Sequence, residues 1–276
     1  MSRLIDMLTR TSRAAPAPLG FRAGHVAPEK RRPRLVAAVE AGAADVAGLT
    51  GGADAAVVTV SRLEEAEATL NTLAEAAPGI VWGIRLAGPA RPGLADALKL
   101  PVDFVVFPPE GTPLALPPEK GPALVLQVAA DLKDSLLRAL GDIPVDAVLI
   151  TAGVAGSPLT WQDLLLVQRA ASAVRRPVIA GIPAGAGPGD VRLLWQAGVD
   201  GVMVAAGDEV ARLRGVIDAA EFPADRWRGR ARALLPHLEP ALPAEPPPEI
   251  EEPQDFQAAG RGGPSPASSA RTCPRW

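Results

Sequence analysis

Residues 176–207 read RPVIAGIPAGAGPGDVRLLWQAGVDGVMVAAG, and the parsing of this stretch decides the fold. The run after Pro177 is apolar without alternation, the pattern of a strand buried on both faces. Gly185, Gly187 and Gly189 then make a glycine-rich loop, a helical segment follows, and a second apolar run begins after Asp200 and ends at a turn containing Gly207. Strand, loop, helix and strand in this order form the crossover unit that parallel pairing requires.

Outward from this stretch the same unit recurs. Apolar runs occupy residues 35–39, 55–60, 80–86, 104–107, 123–128, 147–150, 178–182 and 202–205. The odd-numbered runs each start just after a proline, at Pro33, Pro78, Pro122 and Pro177. The even-numbered ones start beside an aspartate, at Asp54, Asp103, Asp146 and Asp200. Proline and aspartate are separated by 21, 25, 24 and 23 residues in the four units. Four strand-helix-strand units give eight parallel strands, so the expected fold is α/β, a closed (β/α)8 TIM barrel with right-handed crossovers. An open doubly wound sheet is the alternative. Because each aspartate precedes its strand, the four lie at the N-terminal face of the barrel. They are expected to cap helices or strand starts, and no metal site is expected.

Four segments are expected: an N-terminal extension at 1–32, the barrel at 33–221, a peripheral helix at 222–239 and a disordered Pro-rich tail at 240–276. The start, MSRLIDML, has an amphipathic pattern and no continuous apolar core, so it reads as a docking or barrel-closing helix and not as a targeting segment. Ser61 is expected to cap a helix over RLEEAEATLNTLAEA with Glu64 as its partner, Thr160 to open a helix with Asp163 in its first turn, and Asp131 to open another. The prolines between Pro108 and Pro118 predict an extended loop for the fourth crossover. The tail is rich in Pro, Glu, Gly and Ser and carries too few core-forming residues to offset the entropy of ordering.

Composition narrows the chemistry. The formal charge of −3 supplies no basic field for nucleic acid, and no apolar run reaches the roughly 18 residues needed to span a bilayer. Cys273 stands alone in the tail, which excludes a disulfide framework and fits a reducing, cytoplasmic setting. His25 and His237 fall outside the expected core, so zinc hydrolysis lacks ligands. Lys30, Lys99, Lys120 and Lys133 lie outside the strand runs, against a Schiff-base mechanism. Ser157 has no histidine partner for a triad.

Residues 177–207 resemble the PVIA-GGI…DV…L…AGADGV-V-G signature of phosphate-binding TIM barrels, a group that includes FMN-dependent nitronate monooxygenase-like enzymes and thiamine phosphate synthase-like barrels. The resemblance implies that Gly185, Gly187, Gly189, Ala206 and Gly207 present backbone N–H groups and a helix N-terminus to a phosphate. The ligand is then a small phosphate-containing molecule, and the implied cofactor is FMN or none. The chain has Gly181-Ile182-Pro183 in place of Gly-Gly-Ile, and Asp208 and Glu209 follow the last turn. Those carboxylates are either favourable first-turn residues or repel a bound phosphate.

Positions seven residues after the proline and aspartate anchors hold Glu40, Ser61, Arg85 and Glu110, while Gln127 and Thr151 stand five after theirs. Polar residues thus gather at the C-terminal ends of strands, where barrels carry out chemistry. Glu40, Arg85 and Glu110 form the candidate catalytic set, with Gln127 and Thr151 joining the cofactor side; the alternative is a salt-bridged lid between neighbouring strands. Two functions stay open. One is an FMN- or phosphate-binding barrel, an oxidoreductase of the nitronate monooxygenase-like type or a carboxylate-based isomerase or synthase. The other is a degenerate barrel serving as a binding or scaffold module, with its C-terminal tail tethering a protein partner.

Overall fold

Apolar runs that cannot alternate must bury both faces, and the eight runs do so by closing on one another. The computed structural model describes residues 2–12, 31–40, 48, 50–88, 93–115, 118, 120–151, 157–223 and 226–227, all within one compact unit, Met1–Ala231. Its strands are β1 (Arg34–Glu40), β2 (Ala55–Val60), β3 (Val81–Leu86), β4 (Phe104–Phe107), β5 (Ala123–Ala129), β6 (Ala147–Thr151), β7 (Val178–Gly181) and β8 (Gly201–Ala205). They pair in chain order, all parallel, and β8 returns to β1. Following the register from Glu40 to Thr59, Arg85, Val106, Val125 and Ala147, and on through β7 and β8, returns to β1 at position 32, eight residues earlier. A shear of eight with eight strands defines a TIM barrel.

The described helices are α1 (Arg3–Ser12), α2 (Leu63–Ala76), α3 (Leu94–Ala97), α4 (Asp134–Ala139), α5 (Trp161–Ala173), α6 (Pro188–Ala197) and α7 (Asp208–Ala219). Outward strand residues such as Val58, Ile84 and Ile150 pack under α2, α5, α6 and α7 in one apolar layer. Inward residues form a second, separate cluster that includes Val57, Phe104, Val125, Leu149 and Met203. Gly83 makes room for the largest of these: a Cβ there would stand 2.4 Å from the Phe104 ring.

The interior cluster also contains Leu4 and Leu8, both fully buried. Four residues apart, they share one face of α1, and that face closes the N-terminal end of the barrel as the sequence led us to expect. Gly201 admits Leu8, since a Cβ there would meet its Cδ2 at 3.0 Å.

The repeated aspartates explain how the units are held. Asp54, Asp146 and Asp200 each accept the backbone N–H of an odd strand through a carboxylate oxygen, from Leu35 (2.9 Å), Leu124 (2.8 Å) and Val178 (2.8 Å). Each returns its own N–H to the carbonyl of that same residue. Asp103 departs from the pattern: its carboxylate accepts from Arg3 N–H (2.8 Å), Leu4 N–H (2.9 Å) and Ser2 Oγ (2.5 Å). The two amides are orphan donors of the first turn of α1, so the fourth aspartate caps the plugging helix.

Two helix starts differ from expectation. Arg62, with extended backbone and no side-chain cap bond, precedes α2 in place of Ser61; a capping oxygen reaches the N2 or N3 amide only from the residue adjoining the helix. Residues 129–132 form a turn off β5, so α4 begins at Asp134 and not beside Asp131. Thr160 and Asp163 form a complete capping box on α5, Asp163 N–H donating to Thr160 Oγ1 (3.2 Å) and Thr160 N–H to Asp163 Oδ2 (2.9 Å). Between β4 and β5 the described residues contain no helix.

Beyond α7, residues 221–223 and 226–227 are non-helical and run against α6. Trp195 Nε1 donates to the Pro223 carbonyl (2.8 Å), and the Arg226 guanidinium lies 4.3 Å over the Trp195 ring while pairing with fully buried Asp200 (2.7 Å). The rest of the expected 222–239 helix and the 240–276 tail lie outside the described residues. No helix among the described residues is long and apolar enough to cross a membrane.

Candidate functional site

The interior of the barrel changes character at its C-terminal end. Along the inward rows, Val36 and Ala38 lead to Glu40, Ala55 and Val57 to Thr59, Val81 and Gly83 to Arg85, Ala123 and Val125 to Gln127, and Ala147 and Leu149 to Thr151. Successive side chains alternate across a strand, so all five polar residues face the mouth above an apolar plug. Glu40, Thr59 and Arg85 are register partners on three adjacent strands.

Sequence spacing therefore brought Glu40, Arg85, Gln127 and Thr151 to one ring. Ser61 lies past the end of β2 and is exposed; Thr59, five residues after Asp54, takes the inward place. The signal for Thr59 was present, since Gln127 and Thr151 also stand five after their anchors. Glu110 is an exposed turn residue beyond β4 and not a member of the ring.

Arg85 is distinctive among these side chains. Its Nη2 donates to Thr59 Oγ1 at 3.0 Å, while its Nε is buried and has no partner. The other partly buried arginines among the described residues, Arg32, Arg34, Arg214 and Arg226, each pair with an aspartate. No described carboxylate pairs with Arg85. Arg85 as a whole is half-buried, and a buried donor left unpaired, as its Nε is, is uncommon in native proteins.

Four strands from β3 in the eight-stranded ring, β7 places the glycine loop on the opposite wall. Gly185, with φ +86°, and Gly207, with φ +134°, adopt backbone conformations that favour glycine. Gly187 adjoins α6, which holds Gly189 in its first turn, and Ala206–Gly207 leads into α7. Two of the loop amides are engaged by the protein itself. Gly185 N–H donates to Glu209 Oε1 (2.7 Å), and Gly187 N–H donates to Asp190 Oδ2 (2.8 Å). Arg212 completes the brace, donating from Nε to Glu209 Oε2 (2.9 Å), from Nη2 to Glu209 Oε1, and from Nη2 to the Ala186 carbonyl (2.7 Å). Ala206 N–H donates to the Ala38 carbonyl (2.8 Å), a barrel-closing bond and not a ligand contact. The Arg212 guanidinium holds the Glu209 carboxyl below its ordinary value, with Gly185 N–H adding to this against partial desolvation; Arg212 is raised in turn.

As arranged, the loop does not fit the phosphate of FMN. Two of its amides are filled by carboxylates, and Asp208 adds a third at the start of α7. An incoming dianion would have to displace Glu209 against like charge.

By sequence, no family of known proteins and no curated protein matches this chain. Among solved structures, a protein from Aquifex aeolicus VF5 is similar at 16% identity over 68% of this chain and 92% of its own, with a TM-score of 0.50. A mutant tryptophan synthase α-subunit from Pyrococcus furiosus is similar at 15% identity over 68% of this chain and 97% of its own, TM-score 0.51. A mutant FabK from Thermotoga maritima reaches 17% identity over 76% of this chain and 66% of its own, TM-score 0.50. At these identities the likeness is one of fold, and it agrees with the register-derived barrel: the chain is a TIM barrel.

Proposed function

We propose that this barrel binds a small anionic molecule in its C-terminal mouth, with Arg85 holding the negative group. The observation that supports this best is the guanidinium itself, inward-facing and given only a threonine hydroxyl by the described protein. Gln127 and Thr151 line the neighbouring wall as neutral hydrogen-bonding groups, and Glu40, two strands from Arg85, is the candidate general base. In carboxylate-based isomerase or synthase chemistry, Glu40 would take a proton from carbon or oxygen while Arg85 stabilises the charge that develops. A phosphate ester or FMN remains the finer form of this reading only if Glu209 leaves Gly185.

The scaffold reading is favoured by a different observation, the occupation of two loop amides, those of Gly185 and Gly187, by Glu209 and Asp190. The two readings separate in a thermal-shift screen of the full chain with small anions, run beside Arg85→Met and followed by an absorbance spectrum and mass spectrometry of co-purifying compounds. A ligand site gives saturable stabilisation that Arg85→Met abolishes; a scaffold gives no stabilisation by any anion in either protein.

A further inference from the structure

We infer that the mouth is built for a carboxylic acid and against a phosphate ester, with Glu209 as the specificity-determining residue. This deepens the reading that an anion sits on Arg85 and rests on it.

The two walls of the mouth have opposite electrostatic states. On β3, the Arg85 guanidinium has no counter-charge among the described residues. On β7 and β8, the turns that barrels use for phosphate already hold an anion of their own, the Glu209 carboxylate, fixed by Gly185 N–H and by both Nε and Nη2 of Arg212. Arg212 ties this carboxylate to the loop, because its Nη2 also reaches the Ala186 carbonyl at 2.7 Å. Glu209 is thus an internal stand-in for the phosphate. With its pKa lowered, it stays charged at neutral pH and keeps its hold on the amide.

Carboxylate and phosphate differ in ways these walls read. A carboxylate is planar, carries one charge and matches a guanidinium fork in two parallel bonds. Binding at Arg85 needs nothing from the loop on the far wall. A phosphate monoester carries nearly two charges and depends on several converging amides. Here it would lose the Gly185 and Gly187 donors and face Glu209, Asp190 and Asp208. Exclusion by a placed like charge is a common route to specificity.

The test uses the full chain with malonate, succinate and inorganic phosphate as probes, read by thermal shift and calorimetric titration. Wild type is expected to bind malonate or succinate saturably and to ignore phosphate. Arg85→Met is expected to weaken carboxylate binding roughly tenfold or more, and Arg85→Lys to restore part of it. Glu209→Gln is expected to gain phosphate stabilisation while keeping its carboxylate affinity. Unliganded melting curves establish that each variant folds. Phosphate binding by wild type as tight as by Glu209→Gln overturns the role of Glu209. Phosphate binding without carboxylate binding overturns the inference but leaves an anion site, and no binding of either class overturns the anion site itself.

Discussion

Arg226 and Asp200 form an ion pair at a fully buried carboxylate. Asp200 is fully buried and serves β7 through Val178 N–H, while its other oxygen meets Arg226. Removing the guanidinium takes a charged partner from a fully buried carboxylate, a change that costs up to about 3–5 kcal/mol. Arg226→Ala should therefore lower the unfolding free energy by up to that amount, read as a lower denaturant midpoint at an unchanged slope.

Gly83 is fixed by shape and not by backbone conformation. A Cβ would stand 2.4 Å from the Phe104 ring, and overpacking of this kind costs about 1–3 kcal/mol. Gly83→Ala should be destabilising alone and markedly less so beside Phe104→Leu, a positive coupling measurable in a double-mutant cycle.

Glu209 also sets a pH dependence. Its folded pKa lies below the ordinary 4.5, so its contribution is present above about that pH and is lost as pH falls through the lower folded value. Partial exposure keeps the contribution under about 1 kcal/mol. The stability difference between wild type and Glu209→Gln should be constant at neutral pH and close as acid is added below pH 4.5; a difference that grows on acidification would reverse the assigned sign.

At the scale of elements, α1 is a plug held by one aspartate from the far side of the sequence. Asp103→Ala removes the acceptor for two α1 amides, and Leu8→Ala empties a fully buried place within the barrel at a cost of about 2–5 kcal/mol. Hydrogen exchange should show α1 opening in Asp103→Ala while strand amides stay protected. Nothing in the pattern around Asp103 separates it from the other three aspartates. Its different partner is a long-range contact, which a local repeat does not encode. The strands were legible to within one residue because burial on both faces leaves an uninterrupted apolar run. Helix starts were less so, because Ser61 and Asp131 have the right chemistry but stand a residue or more before the turn geometry allows a cap.

For the whole molecule, the ring of Glu40, Arg85, Gln127 and Thr151 was legible through parity: an odd offset from seven of the eight anchors, all but Pro177, falls on an inward position, whatever the exact strand end. Ser61 was misplaced because strands of unequal length end at different offsets. The state of the glycine loop was not legible, because the Glu209 and Asp190 side chains decide it by turning back onto amides that the backbone alone would offer to a ligand. Glu209 thus takes an amide that the sequence resemblance would give to a phosphate, and no described carboxylate meets the charge of Arg85 across the mouth.

Calorimetric titration of malonate into wild type and Arg85→Met tests that account most directly. Saturable binding to wild type, weakened roughly tenfold or more in Arg85→Met while the melting temperature of the unliganded variant is retained, is the expected result. Equal affinity in the two proteins, or no binding to wild type, would contradict it.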